Sequence, residues 1–316
     1  MVTMPLPEKI GFLFPGQGAQ FIGMGKDFYE KFPSAQKIFD TADSFLQYPL
    51  TRICFQGPEE KLTRTLYAQP AIFVMSVAAL TVLKEKYPDL SPKLVAGLSL
   101  GEFTALVAAG VLSFIDGLRL VQKRAEAMEK SAELHQGTMA SILGLPLADC
   151  QAIAKEAGCE VANINSPDQI VISGTESSIK NACQIAEEWG AKKALPLKVG
   201  GAFHSSLMRD AQESLEKALR STAIQSPQCA FVPNVLAQAV QNPEEIRTLL
   251  ARQLTSPVRW VQTMEFAHQS GVRFFIEIGP GKVLKGLARK CQPDFTVESC
   301  GTASDIEKID RLFVKT

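Results

Sequence analysis

The pentapeptide GLSLG at residues 97–101 constrains the fold of this chain more than any other feature of its sequence. It follows a short apolar run and precedes a helical pattern, so it is a G-x-S-x-G sequence at a strand-to-helix turn. Glycine on both sides of the serine lets neighbouring backbone approach such a crowded turn. The pattern predicts that Ser99 is a nucleophile and that the N–H of Leu100 stabilises an oxyanion. A plain Gly-Ser turn is the alternative.

The apolar and turn patterns predict an α/β fold with two parts. Buried strands are predicted at residues 10–14 and 272–278, one near each end of the chain. The segment between them contains the order β-α-β-β-α-β, with elements predicted at 137–143, 147–157, 160–164, 169–173, 177–189 and 193–197. We therefore expect an α/β core with a parallel sheet, residues 1–133 and 204–316, and an inserted ferredoxin-like domain, residues 134–203.

Composition argues against several classes of protein. Lys plus Arg equals Asp plus Glu at 33 each, so nothing in the net charge indicates binding to nucleic acid or to an anionic membrane. The seven cysteines are odd in number and lack C-x-x-C spacing, so neither a disulfide framework nor a zinc site is expected. Residues 1–9 do not read as a signal peptide, and the best apolar block, residues 71–83, is too short to cross a bilayer. We expect a cytoplasmic protein.

A serine nucleophile needs a base, and the chain has three histidines. His135 lies near the predicted domain boundary and His268 lies inside a helical pattern, whereas His204 lies in a loop between the two parts. Catalytic groups concentrate on such loops, so His204 is the preferred candidate. Asp149 and Asp168 both fall in the inserted domain, so neither can be placed behind His204 as a third catalytic residue. A backbone carbonyl is the alternative partner for its imidazole.

Arg124 lies on a helix predicted from the capping pair Ser113 and Asp116 to about residue 132. Two interpretations of this arginine are open. It is a bidentate clamp for a substrate carboxylate, or it is a solvated arginine on a helix surface. The residues alone favour the solvated arginine, because that is the usual case.

Seven sequence runs, in order along residues 10–290, match one family together. They are FPGQGAQ at 14–20, GLSLGE at 97–102, Arg124 with Met128, NINSP at 163–167, GAFHS at 201–205, QL at 253–254 with PVRW at 257–260, and EIGPG at 277–281. With these runs the chain resembles the malonyl-CoA:acyl carrier protein transacylases of bacterial type II fatty acid synthesis. It is also similar to the acyltransferase domains of polyketide synthases.

The resemblance implies a hydrolase-like core with a ferredoxin-like subdomain, and it implies roles for five residues. Ser99 would carry the acyl group as an ester, and His204 would act first as base and then as acid. Gln17 and the N–H of Leu100 would form the oxyanion hole. The backbone carbonyl of Gln253 would orient His204, which would explain why no carboxylate is found for that position.

The resemblance also implies how the substrate is chosen. Arg124 would pair with the free carboxylate of the malonyl group, and Met128 and Asn163 would contribute to substrate binding. Phe203 and Leu100 match relatives that prefer malonyl to methylmalonyl units, because a bulky ring leaves no room for a branching methyl group. One methyl group is worth only about 1–3 kcal/mol in such a pocket.

The expected reaction moves a malonyl group from malonyl-CoA to the phosphopantetheine thiol of an acyl carrier protein by a ping-pong route. No metal or redox cofactor is expected, and a monomer is expected. Because acyl carrier proteins are acidic, a basic docking patch is also expected. Lys192, Lys193 and Lys198 are its candidate contributors, although surface lysines are more often merely solvated.

Two positions depart from the family pattern, Leu98 where relatives usually have histidine and Ala19 where many have serine. Because of the departure at Leu98, one alternative interpretation is a module that binds carrier protein and whose catalytic site has decayed. A thioesterase or other Ser-His hydrolase would use the same Ser99, but it would need a carboxylate behind His204 and would not need Arg124. An acyltransferase that serves a polyketide pathway is a further alternative, which the sequence does not separate from fatty acid synthesis.

Overall fold

The computed structural model describes residues 9–313, and it describes side chains for residues 9–310. The strands are β1 (Ile10–Phe14), β2 (Leu94–Gly97), β3 (Thr138–Leu143), β4 (Glu160–Ser166), β5 (Gln169–Gly174), β6 (Lys193–Pro196), β7 (Ala230–Phe231), β8 (Phe274–Ile278) and β9 (Thr296–Cys300). The helices are α1 (Lys26–Lys31), α2 (Pro33–Leu46), α3 (Leu50–Gln56), α4 (Glu59–Thr63), α5 (Thr65–Lys86), α6 (Gly101–Ala108), α7 (Phe114–Leu134), α8 (Leu147–Ala157), α9 (Glu176–Glu188), α10 (Arg209–Arg220), α11 (Pro243–Arg252), α12 (Trp260–Gln269), α13 (Val283–Cys291) and α14 (Ala303–Phe313).

A five-stranded parallel sheet forms the centre of the larger part, with the strand order β7-β2-β1-β8-β9. All five residues of β1 are buried, as expected for a central strand covered by helices on both faces. Phe14 at the end of β1 lies opposite Gly97 at the end of β2. The loops that follow these two strands therefore leave the same edge of the sheet side by side, which is where α/β folds place their binding sites.

Helix α5 is long and apolar and lies in the core, where it packs mainly against α7 and α2. Among the described residues, it is the one helix whose length and composition would suffice to cross a membrane. The prediction that this apolar segment is too short to cross a bilayer is wrong, because the helix has 22 residues and extends well beyond residues 71–83. However, 83% of its most apolar 18-residue window is buried inside the molecule. Burial in the core accounts for its composition.

The second sheet is antiparallel, with the strand order β4-β5-β3-β6. Helices α8 and α9 pack on each other and on these strands. The ends of its six elements lie within two residues of the predicted β-α-β-β-α-β elements. The predicted fold class, an α/β fold with a parallel sheet and a small second sheet, is confirmed. The domain boundaries at residues 133/134 and 203/204 stay predictions.

The two parts meet where β4 pairs with the segment that precedes α12. The N–H of Ile164 donates to the carbonyl of Val258 at 2.9 Å, and the N–H of Val258 donates to the carbonyl of Ala162 at 2.8 Å. Asn163 therefore lies at the junction of the small sheet with the larger part.

Candidate active site

Ser99 lies at a sharp turn between β2 and α6, with a left-handed backbone at φ 53°. A Cβ on Gly97 would lie 2.0 Å from the backbone carbon of Gly101, and a Cβ on Gly101 would lie 2.0 Å from the carbonyl oxygen of Phe14. Neither position can carry a side chain unless the backbone moves. The glycines thus allow the tight turn that the sequence predicted, and the turn projects the serine hydroxyl from the edge of the sheet.

The serine hydroxyl meets the imidazole of His204, with Oγ 2.8 Å from Nε2. On the other side of the ring, Nδ1 lies 2.9 Å from the backbone carbonyl of Gln253. Because a carbonyl can only accept, Nδ1 carries the proton, and the lone pair of Nε2 is free to accept the proton of Ser99. Burial, with a further contribution from the charge of Arg124, lowers the pKa of His204 to about 4. The imidazole is therefore neutral at pH 7, as a general base must be.

The alternatives considered for base and acid lie elsewhere. His135 is 2.8 Å from Asp210, and His268 is 3.2 Å from Asp294, each in a solvent-accessible pair. Asp168 accepts a hydrogen bond from its own loop and lies 3.7 Å from a lysine of α13. Within the described residues, no carboxylate is hydrogen-bonded to the imidazole of His204.

Arg124 is only 1% exposed, so the interpretation as a solvated helix arginine is wrong. Its Nη2 donates to Oγ of Ser99 at 2.9 Å and to Oε1 of Gln253 at 3.0 Å, and its Nη1 donates to Oε1 of Gln69 at 2.7 Å. Burial lowers its pKa to about 10, which leaves the guanidinium charged at pH 7. The charge also lies 5.6 Å from the ring centroid of Phe103. A fixed cation therefore stands directly beside the candidate nucleophile.

Two backbone N–H groups beside the turn, those of Leu100 and Gln17, have no hydrogen-bond partner in the part of the chain that the structure describes. A Cβ on Gly16 would lie 2.3 Å from the carbonyl oxygen of Leu98, so the Gln17 loop is pressed against the turn. The side chain of Gln17 donates instead to Thr65 at 3.2 Å. If Gln17 belongs to an oxyanion hole, as predicted, its backbone is the group available for that role.

The predicted substrate residues differ in how closely they join this site. Met128 is buried one helical turn after Arg124 on α7, and its Sδ accepts a hydrogen bond of 3.2 Å from Gln69. Phe203 is 7% exposed and directly precedes His204. Asn163 is buried at the β4 junction and makes no side-chain hydrogen bond to the described residues around Ser99. The roles assigned to these side chains stay predictions.

The remaining predicted positions lie outside this hydrogen-bond network. Leu98 is half-buried and packs against apolar side chains of the core, while its backbone N–H donates to Phe14 at 3.0 Å. Lys192 and Lys193 are exposed near and on the edge strand β6. Lys198 lines a cavity of about 370 Å³ together with Thr65, the residue that binds Gln17. The described residues contain no group of three or more side chains suited to hold a metal ion.

Sequence reasoning missed three polar residues that hold the site together, Gln69, Asn234 and Glu102. Asn234 clamps the turn, since its Oδ1 accepts from the N–H of Ser99 at 2.7 Å and its Nδ2 donates to the carbonyl of Gly97 at 2.6 Å. Glu102 is fully buried, and desolvation raises its pKa to about 7. Two of these residues could have been found from the sequence, because they are polar residues in apolar surroundings: Glu102 lies at the start of an apolar helix, and Gln69 precedes the long apolar block. Nothing local marks Asn234.

The chain is similar in sequence and in structure to known acyltransferases. Residues 11–306 match the acyl transferase domain family. The chain is 45% identical over 291 residues to the malonyl CoA-acyl carrier protein transacylase of Bacillus subtilis (strain 168), with 90% of each chain covered. It is similar to the crystal structure of the acyl-carrier-protein-S-malonyltransferase from Bartonella henselae, at a TM-score of 0.93 and 39% identity, with 96% of this chain and 99% of that chain covered. A malonyl-transacylase in complex with a type II PKS acyl-carrier protein is similar at a TM-score of 0.92 and 37% identity, with 96% and 99% covered.

Proposed function

This chain belongs to the acyl transferase domain family and, within it, to the malonyl CoA-acyl carrier protein transacylases, and we propose that it moves a malonyl group from malonyl-CoA to the phosphopantetheine thiol of an acyl carrier protein. One observation carries the proposal. The hydroxyl of Ser99 lies between the neutral imidazole of His204 at 2.8 Å and the guanidinium of Arg124 at 2.9 Å. The imidazole serves any acyl transfer, whereas the buried cation favours an acyl group that carries its own carboxylate.

In the first half-reaction, Oγ of Ser99 attacks the thioester carbon of malonyl-CoA, and its proton passes to Nε2 of His204. The carbonyl oxygen of the substrate becomes an oxyanion, which the N–H groups of Leu100 and Gln17 stabilise. The C–S bond then breaks, and the imidazolium returns the proton to the sulfur of the departing CoA. Malonyl-Ser99 remains, and the backbone carbonyl of Gln253 holds the imidazole in the tautomer that both proton transfers need.

In the second half-reaction, the thiol of the carrier protein's phosphopantetheine takes the place of CoA. His204 accepts the thiol proton as the sulfur attacks the ester carbon of malonyl-Ser99. The C–O bond breaks, and His204 returns the proton to Oγ of Ser99, which restores the free enzyme. The two half-reactions are chemically the same step run in opposite directions, so one base and one oxyanion site serve both.

A Ser-His thioesterase is the rival that uses the same nucleophile. It calls for a carboxylate behind the histidine, and the described residues supply a backbone carbonyl to His204 instead. It also gives no reason to bury a cation beside the serine, because burial of a charge is unfavourable unless the charge is used or paired. Both observations favour transfer of a malonyl group over hydrolysis.

We also propose that the enzyme works in the cytoplasm as a monomer without a resident metal or redox cofactor. All seven cysteines are free thiols, which suits a reducing compartment. Every group in the proposed steps apart from the substrates comes from one chain, so the chemistry requires no second subunit. Sedimentation at micromolar concentration should give the mass of one chain, and a chelator should leave the transfer rate unchanged.

Intact-protein mass spectrometry tests the proposed reaction. When malonyl-CoA and acetyl-CoA are offered together in equal amounts, the protein should gain one malonyl group, and peptide mapping should place that group on Ser99. The adduct should persist in water and disappear when a phosphopantetheinylated carrier protein is added. Ser99→Ala should stay unlabelled. Rapid loss of the adduct without carrier protein would instead identify a hydrolase, and absence of any adduct would identify a decayed site.

A second assay decides whether the carrier protein belongs to fatty acid synthesis or to polyketide synthesis. Carrier proteins of both kinds are offered to the isolated malonyl-enzyme, and the rates of transfer are compared. We propose the fatty acid carrier as the preferred acceptor. A polyketide carrier that is charged much faster would reassign the pathway and leave the chemistry unchanged.

A further inference from the structure

The carboxyl group of Glu102 is buried beside the site, yet neither half-reaction uses it. It lies in the first turn of α6, directly after the Ser99 turn, and it is 0% exposed. Its Oε2 accepts from the backbone N–H of Asn234 at 3.0 Å and from Nε2 of Gln253 at 2.7 Å. Its Oε1 has no hydrogen-bond partner in the part of the chain that the structure describes. Burial of a carboxyl group is unfavourable, so its presence here calls for an explanation.

We propose that Glu102 is a positioning residue: its carboxylate fixes the side chain of Gln253 and the backbone of Asn234 in the arrangement that malonyl transfer requires. This inference rests on the proposed function. The carboxylate of Glu102 makes no hydrogen bond to the hydroxyl of Ser99 or to the imidazole of His204 in the described residues, and it acts through Asn234 and Gln253, which contact them.

The first path runs through the side-chain amide of Gln253. Its Nε2 donates to Glu102 and also to the backbone carbonyl of Ser99 at 2.9 Å, while its Oε1 accepts from Nη2 of Arg124. A flipped amide would turn its NH₂ group towards the guanidinium and its oxygen towards the carboxylate, and both contacts would be repulsive. Glu102 therefore sets the direction of the amide, and through the amide it holds the cation beside the nucleophile.

The same residue also connects Glu102 to the base. The backbone carbonyl of Gln253 is the acceptor for Nδ1 of His204, so a shift of this residue displaces the imidazole as well. The second path runs through Asn234, whose backbone N–H binds Glu102 and whose side chain clamps the Ser99 turn from both sides. One carboxylate thus holds the supports of the nucleophile, the base and the cation.

The charge of Glu102 gives this arrangement a measurable pH dependence. The charged group that acts on it is the guanidinium of Arg124 on α7, and its hydrogen-bond donors are the neutral N–H groups of Asn234 and Gln253. Desolvation raises the pKa of Glu102 to about 7, although the two donors and the guanidinium favour the carboxylate. Below this pH the carboxylate is lost, and its charge-assisted hydrogen bonds weaken. The pKa of His204 is about 4, so the imidazole itself cannot cause a loss of activity near pH 7.

The test compares Glu102→Gln and Glu102→Leu with a matched control. Glutamine keeps an oxygen for both donors but cannot titrate, and leucine removes the acceptor. The control is Glu277→Gln, because Glu277 is also 0% exposed and accepts two backbone N–H groups, those of Leu284 at 2.9 Å and Lys285 at 2.8 Å, at the start of α13. It reports the general effect of replacing a buried carboxylate by an amide.

The measured quantity is kcat/KM for malonyl-CoA and for acetyl-CoA between about pH 5 and pH 9. Wild type and Glu277→Gln should lose activity with malonyl-CoA below about pH 7, whereas Glu102→Gln should stay within roughly threefold of wild type at pH 8 and keep its activity to lower pH. Glu102→Leu should lose roughly tenfold or more with malonyl-CoA, and less with acetyl-CoA, because only malonyl needs the oriented cation.

The proposal is overturned if kcat/KM of Glu102→Gln falls at low pH in the same way as kcat/KM of the wild type. It is also overturned if the kcat/KM values of both Glu102 variants equal those of Glu277→Gln. If Glu102→Leu does not fold, the pH profile of Glu102→Gln alone decides the matter. Failure of the proposed function looks different, because wild type itself would then form no malonyl ester on Ser99.

Discussion

Replacement of Arg124 by alanine tests most directly how this site selects its substrate. The wild-type guanidinium is buried and donates to Ser99, Gln69 and Gln253 at 2.7–3.0 Å. In the proposed complex it also donates to the malonyl carboxylate. Arg124→Ala leaves that carboxylate buried without a partner, but it takes nothing that an acetyl group needs. The substitution should therefore change the choice between malonyl-CoA and acetyl-CoA.

The magnitude follows from the burial of the pair. Truncation of one partner of a buried, hydrogen-bonded charge pair is unfavourable by about 2–5 kcal/mol. At 1.36 kcal/mol for each factor of ten, kcat/KM for malonyl-CoA should fall by roughly 30-fold to 5,000-fold. For acetyl-CoA it should stay the same or rise, because the hydroxyl of Ser99 no longer accepts a hydrogen bond from a cation and keeps its bond to His204.

The assay is the ratio of the two kcat/KM values, measured at pH 8 by the release of CoA. Arg119→Ala is the matched control, since Arg119 lies on the same helix with a side chain 49% exposed, where it pairs with Asp116 and lies over the ring of Phe45, away from Ser99. It should leave the ratio unchanged. Circular dichroism should show that both variants are folded. A folded Arg124→Ala enzyme with wild-type preference for malonyl-CoA would refute the assignment of this arginine as the carboxylate clamp.

Three further predictions concern the turn and the acyl pocket. Gly101→Ala should sharply lower the thermal stability, because its Cβ would lie 2.0 Å from a backbone oxygen. The control is Gly286→Ala, which lies in a helix with open space around it and should raise the free energy of unfolding by up to about 1 kcal/mol. Equal effects of the two substitutions in thermal unfolding would contradict the tight contact at Gly101. Asn234→Ala removes the two side-chain bonds that clamp the turn and should slow acylation of Ser99 roughly tenfold in stopped-flow measurements, while an unchanged rate would mean that the turn holds itself. Phe203→Ala should shift the competition between malonyl-CoA and methylmalonyl-CoA towards the branched substrate by roughly 10- to 200-fold, and no shift would remove Phe203 from the pocket.

Local patterns in the sequence predicted a part of the fold, namely the elements of the small sheet and the strands β1 and β8 of the large one. The alternation of apolar segments and turns in residues 137–197 gave the small sheet with element ends correct to within two residues. Strand and helix periodicity is a property of consecutive residues, so it can be seen without the fold. The turn at Ser99 could be predicted for the same reason, since its two glycines are needed by contacts that any strand-to-helix turn of this kind makes.

The sequence reduced the candidates for the hydrogen-bond partner of Ser99 to a few residues, but it did not show where they lie. Three histidines left a short choice, and a loop position favoured His204. The acceptor on its far ring nitrogen is a backbone carbonyl 49 positions later, and a carbonyl belongs to every residue, so no composition or spacing marks it. Only the resemblance to a known family indicated Gln253.

The tertiary structure alone decided which polar side chains are buried at the site. Arg124 has the sequence setting of a solvated helix residue, and it became a buried cation because α7 packs with that face towards Ser99. Glu102 and Asn234 meet from positions 132 residues apart. Residues so distant in the chain come together because parallel strands end at one edge of the sheet, and the loops beyond them converge there. The sequence by itself determined the elements of the small sheet and the turn that presents Ser99, since both have local causes, and the fold determined the charges and hydrogen bonds around that serine.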